Sequence, residues 1–115
     1  MITLHLKKTF FDLIKSGEKK FEFRPDSQYY KNLFKSVDIV KVNSGLKKDY
    51  VIINIACGYP KKEDREKNLK CYLKNYSCVN NDHSILYANK VNECYDLKKY
   101  PWFICLEIEP IKNYN

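Results

Sequence analysis

The sequence predicts a small α+β domain, a partly open β-barrel of about six short strands with two helices packed on it. Three observations carry this. The length of 115 residues accommodates one domain with a real core and no second one. Short runs with apolar residues at every second position recur along the chain, and two stretches carry apolar residues at helical spacing instead. Turn formers separate these runs, as they do in small barrels. Residues 1–110 are read as the domain and 111–115 as a frayed tail.

The elements follow in order. Ile2, Leu4 and Leu6 share one face of a first strand over residues 2–7. Phe10, Leu13 and Ile14 repeat at helical spacing over residues 9–16, with Thr9 as the expected cap and Gly17 as the left-handed stop. From Phe21 the period changes to two. Phe21 and Phe23 point one way, Lys20, Glu22 and Arg24 the other, and Pro25-Asp26 closes the strand. Tyr29 to Lys35 is either one or two helical turns or a loop that packs its aromatics. Asp38 to Val42 is expected to be a strand ended by Asn43-Ser44-Gly45. Val51, Ile53, Ile55 and Cys57 mark the clearest strand, broken by Gly58-Tyr59-Pro60. Leu69, Tyr72, Leu73 and Tyr76 fall at i, i+3, i+4 and i+7, which predicts a second helix within Lys61–Tyr76. Asn80-Asn81-Asp82 reads as a turn, and Ile85–Val91 and Trp102–Ile108 as the last strands.

Composition narrows the function classes. Hydrophobic content of 44% and aromatic content of 15% describe a chain that folds. No apolar run is long enough to cross a membrane and no secretory leader pattern opens the chain, so an intracellular site, cytoplasmic or nuclear, is expected, with no membrane partner. The five cysteines are odd in number and contain no Cys-x-x-Cys pair, which argues against a zinc ribbon or a disulfide framework and for buried thiols. His5 and His83 are far apart, so no metal site is expected. Three glycines are too few for a phosphate-cradling loop, and no dinucleotide fingerprint is present. The serines stand in no nucleophile-elbow context. No cofactor is therefore expected. The net charge of +7 favours an anionic partner, although a lysine-rich background also produces it.

The stretch Ser16–Arg24 concentrates the chemistry. A helix stop, the charges Lys19, Glu22 and Arg24, and a strand end fall within nine residues. The spacing Gly17-x-Lys19-x-x-Glu22-x-Arg24, after a helix with two aromatics, resembles the signature of ASCH domains in the PUA-like superfamily of small barrels. The opening Ile2-Thr3-Leu4-His5-Leu6-Lys7 is similar to that family's first strand, which ends in a lysine. The resemblance covers residues 2 to 24 and extends to about residue 44. Val37 stands where the family commonly has a glycine.

This resemblance implies a cleft at the barrel mouth that binds RNA or a modified nucleoside, lined by Lys7, Lys19, Glu22, Arg24 and Ser44, with Gly17 as a structural turn. A plain turn-capping role is the competing reading of Ser44. In that cleft Glu22 accepts from an exocyclic amine, and Lys19 and Arg24 hold phosphate or a base carbonyl. Tyr30, Tyr59, Tyr87 and Trp102 are the candidate stacking faces. An ion-pair ladder of Lys20, Glu22 and Arg24 facing solvent is the plainer reading of the same residues.

Some ASCH proteins are small amidohydrolases or ribonucleases, which implies a metal-independent hydrolase with Lys19 and Glu22 as its catalytic pair. Glu22 stands where the amidohydrolases have a threonine, and a carboxylate does not replace a hydroxyl nucleophile. Glu63, Asp64 and Glu66 are candidates for a later catalytic acid, with N-terminal helix charge as the favoured reading of each. A protein-interaction module on the same barrel is the third reading, supported by the ten tyrosines. The oligomeric state does not follow from the sequence.

Overall fold

A computed structural model of the chain describes residues 1–80 and 99–112. The architecture is mixed α+β, a sheet of five strands among the described residues, curled into a half-barrel with a few short helices. The strands are β1 (Thr3–Leu6), β2 (Phe21–Pro25), β3 (Val51–Cys57), β4 (Leu69–Asn80) and β5 (Trp102–Pro110). Their order in the sheet is β1-β3-β4-β5-β2; β1 runs parallel to β3, and the other pairs are antiparallel. The expected strand at 85–91, with His83, Tyr87 and Cys94, lies outside the described residues.

The helices are α1 (Lys8–Lys15), α2 (Gln28–Phe34) and α3 (Ile39–Asn43). Lys7, not Thr9, occupies the N-cap of α1, and no side chain caps it. Gly17 ends the helix at φ 83°, a region that only glycine enters without strain. The reversal lets the Lys19 amide donate to the Leu13 carbonyl at 3.0 Å, so the turn fixes where Lys19 starts the next strand.

Two segments depart from the sequence expectation. Residues 39–43 form a helix rather than a strand, because the Asp38 carboxylate accepts from the Lys41 amide at 3.2 Å and caps the first turn. That local hydrogen bond outweighs the weak extended preference of Ile39, Val40 and Val42. Residues 69–80 form a strand rather than a helix, preceded by a 3-10 turn at Lys62–Lys67. A β-bulge explains the misreading. Leu73 pairs with Ile108, Asn75 with Glu107 and Tyr76 with Leu106, so one extra residue shifts the side-chain alternation. Cys71, Leu73 and Tyr76 then all face the core, and the spacing imitates a helix.

The main core gathers Leu4 and Leu6 of β1, Ile14 of α1, Ile53 and Ile55 of β3, Cys71 and Leu73 of β4, and Ile104, Leu106 and Ile108 of β5. A second, smaller cluster, Phe23 with Phe103, packs with Phe21, Val79, Tyr100 and Cys105. Of the four described cysteines only Cys71 is buried; Cys57 and Cys78 are exposed and Cys105 is intermediate, which corrects the expectation of buried thiols. Ile111, assigned to the frayed tail from sequence, still donates to the Lys70 carbonyl at 2.9 Å.

Candidate functional site: a charged seam

β1 and β2 lie at opposite ends of the sheet order, yet Arg24 of β2 donates through Nη2 to the His5 carbonyl of β1 at 3.4 Å. The curl thus brings the two edges together at a seam, and a guanidinium spans it. Register fixes which side chains enter. Glu22 is opposite Leu106 and Arg24 opposite Ile104, both core residues, so both charges point inward with the main core. Among the described residues Lys19, Glu22 and Arg24 are the buried charged side chains, at 4%, 2% and 4% exposure. The solvent-facing ladder is therefore not what forms; Lys20 alone of that series is exposed.

Glu22 Oε1 lies 3.8 Å from Arg24 Nε and accepts from the Phe23 amide at 3.1 Å. Arg24 also donates through Nη1 to the Tyr30 hydroxyl at 3.0 Å, and its guanidinium lies 5.6 Å from the Tyr30 ring centre. Ser27 caps α2 and so places Tyr30 there. The second carboxylate oxygen, Glu22 Oε2, is buried with no hydrogen-bond partner among the described residues. A buried acceptor left in that state costs about 1–3 kcal/mol, and more when charged.

Lys19 is buried nearby but differently. Its ammonium lies 5.9 Å from the Phe10 ring centre and 5.9 Å from that of Phe23. Phe23 alternates with Glu22 and Arg24 along β2, so its ring is on the opposite side of the strand. The Lys19 ammonium, near the Phe23 ring, is thus on the aromatic side; the Cys105 thiol opposite Phe23 is raised chiefly by burial. The seam thus joins Glu22 to Arg24 directly, and Lys19 stands at the strand's start between two aromatic faces. Lys19 and Lys20 also border a groove of about 460 Å³ with Gly17 and Glu107.

Other sequence candidates sit elsewhere. Lys7 is exposed at the start of α1. Ser44 is exposed at the end of α3, where its hydroxyl donates to the Lys41 carbonyl, a turn-capping role rather than a place after a strand. Asp64 pairs with Lys67 at 3.3 Å on the surface, and Glu63 and Glu66 are exposed on the same 3-10 turn. Sequence reasoning missed the His5 carbonyl and the Tyr30 hydroxyl as partners of Arg24. The carbonyl leaves no side-chain signal, and the sequence marks Tyr30 as a stacking ring without showing what its hydroxyl meets.

Fold and site together define a small α+β half-barrel with a charged pair buried at its seam. No protein-family model matches the sequence, and no curated protein matches it. Among solved structures it is similar to the crystal structure of hypothetical protein PH0355, with a TM-score of 0.57 and 20% identity over 95% of this chain and 97% of that one. That likeness is one of fold. No helix among the described residues is long and apolar enough to cross a membrane.

Proposed function

We propose that the seam recognises a nucleobase-like ligand, free or within RNA, as ASCH domains do, with Glu22 reading the base edge. The observation that supports this most is the buried Glu22 Oε2, an acceptor with no donor among the described residues, on a carboxylate 3.8 Å from Arg24. An exocyclic amine or ring N–H supplies the donor that such an oxygen lacks. Arg24 then polarises a carbonyl on the same flat edge, and Lys19 contributes charge toward a phosphate from the Phe10–Phe23 side.

The test pairs wild type with Lys19→Ala and Glu22→Gln against short single-stranded RNA and a panel of modified nucleosides. Binding is read by fluorescence anisotropy and turnover by mass spectrometry. Glu22→Gln is expected to weaken nucleoside binding about tenfold, the loss of roughly one hydrogen bond to a charged acceptor. Lys19→Ala is expected to weaken RNA more than nucleoside. Product formed by wild type and lost in Lys19→Ala would establish the hydrolase reading, which rests on a lysine buried against two aromatic rings. Absence of binding to every probe removes the proposal and leaves the protein-interaction module.

A further inference from the structure

We infer a second binding site, on the outer face of the sheet, that takes a nucleotide unit: a planar base carrying a phosphate. Thr3 and His5 alternate with the buried Leu4 and Leu6 along β1, so their side chains face away from the core. Register sets Thr3 opposite Asn54, and Asn54 opposite Lys70. The row is hydrogen-bonded across three strands: Asn54 Nδ2 donates to Thr3 Oγ1 at 3.3 Å, and Lys70 Nζ donates to Asn54 Oδ1. This row floors a groove of about 540 Å³ that also takes in His5, Tyr59 and Arg65, and contains none of Lys19, Glu22 and Arg24.

Tyr59 supplies the base platform. Gly58 turns the chain at φ 63°, and the Tyr59 ring lies on His5 with centres 4.3 Å apart and planes 15° from parallel. His5 is anchored from behind, its Nδ1 donating to the Gly58 carbonyl at 2.8 Å. Tyr59 is nevertheless 86% exposed. One face rests on an anchored imidazole and the other meets solvent, so a base adds to an existing stack without rearrangement. The charge fits the rest of the ligand. Lys70 and Arg65 are both cationic, and among the described residues no carboxylate lines the groove. Lys70 is held in place by its bond to Asn54, which aims the ammonium at the groove's floor. Stacking ring, anchored ammonium and exposed guanidinium together match base and phosphate, whether from a free nucleotide or from one residue of a single strand.

Backbone-amide NMR on the full chain tests this, with uridine 5′-monophosphate, decauridylate and inorganic phosphate as separate titrants. Nucleotide is expected to move the His5, Tyr59 and Lys70 signals. Tyr59→Ala should weaken that binding about tenfold, the usual consequence of losing one stacking ring. Arg65→Gln should lower the salt slope by about one. With uridine 5′-monophosphate, Lys19→Ala should leave the shifts at Tyr59 and Lys70 in place, which separates this site from the seam. Equal affinity for monophosphate and decauridylate supports a free nucleotide, and preference for the decamer supports a strand. The same shifts from inorganic phosphate, insensitive to Tyr59→Ala, overturn the proposal. So do shifts confined to Glu22 and Arg24, or none at these three residues at millimolar nucleotide. Because Tyr59 is exposed, its variant is expected to keep the dispersed spectrum of the wild type.

Discussion

Glu22 and Arg24 bury opposite charges 3.8 Å apart, a distance that gives Coulombic attraction without a full bidentate bond. Such a pair does not repay its desolvation well, yet breaking it is expensive because one charge is left behind. Glu22→Ala should therefore cost about 3–5 kcal/mol in urea unfolding. The double change Glu22→Leu with Arg24→Leu should cost less than either single change, and a double-mutant cycle reads the difference. Additive losses would mean the two side chains do not act as a pair. Residue identity here was legible from the spacing of Lys19, Glu22 and Arg24. Their orientation was not, because period two says only that two faces differ, and the curl decides which one meets the core.

At the scale of elements, the bulge in β4 has a companion. The β3 pairing ends at Leu73, and beyond it the side chain of Asn43 takes over, donating to the Tyr76 carbonyl and accepting from the Tyr76 amide, both at 2.8 Å. One amide side chain thus imitates a short piece of neighbouring strand. Asn43→Ala should cost about 1 kcal/mol, since a half-buried backbone pair loses both partners; Asn43→Asp keeps the acceptor and should recover part of the loss. Thermal unfolding of the three proteins checks the order. The strands β1, β2, β3 and β5 and the helix α1 were readable because their periods run unbroken. α3 and β4 were not. In one, a capping carboxylate overrode β-branched residues; in the other, an inserted residue turned a period of two into a counterfeit of 3.6. The partnership of Asn43 with Tyr76 has no sequence signal, because it depends on where two distant segments pack.

For the whole molecule, the buried Cys71 thiol couples folding to pH. Burial raises it from 9.0 to about 12. In the unfolded chain the thiol ionises first, so above pH 9 the folded state binds more protons and stability falls as pH rises. The contribution is complete below pH 9 and is lost progressively toward pH 12. Cys105 and Tyr76, also raised by burial, act with the same sign. The melting temperature is expected to drop between pH 8 and pH 10.5. Cys71→Ala should flatten that slope while lowering stability at pH 8 by leaving a small cavity. An unchanged slope would assign the alkaline loss to other groups. Thiol labelling offers a second check: Cys57 should react in the folded state and Cys71 only on unfolding.

The pairing of β2 sets the timing of all this. Its hydrogen-bonded neighbour in the sheet is β5, so Phe21 finds its place only against Glu107, near the other end of the described chain. During synthesis the stretch bearing Glu22 and Arg24 leaves the ribosome well before its partner β5 and waits for it. Non-local pairing of this kind places folding in the range of about milliseconds to seconds. A nascent chain halted before Trp102 presents an unpaired β2 and exposes to water the charges that the finished protein buries. The seam therefore forms only after β5 has been made, and any ligand that needs it meets only chains that already contain Trp102–Pro110.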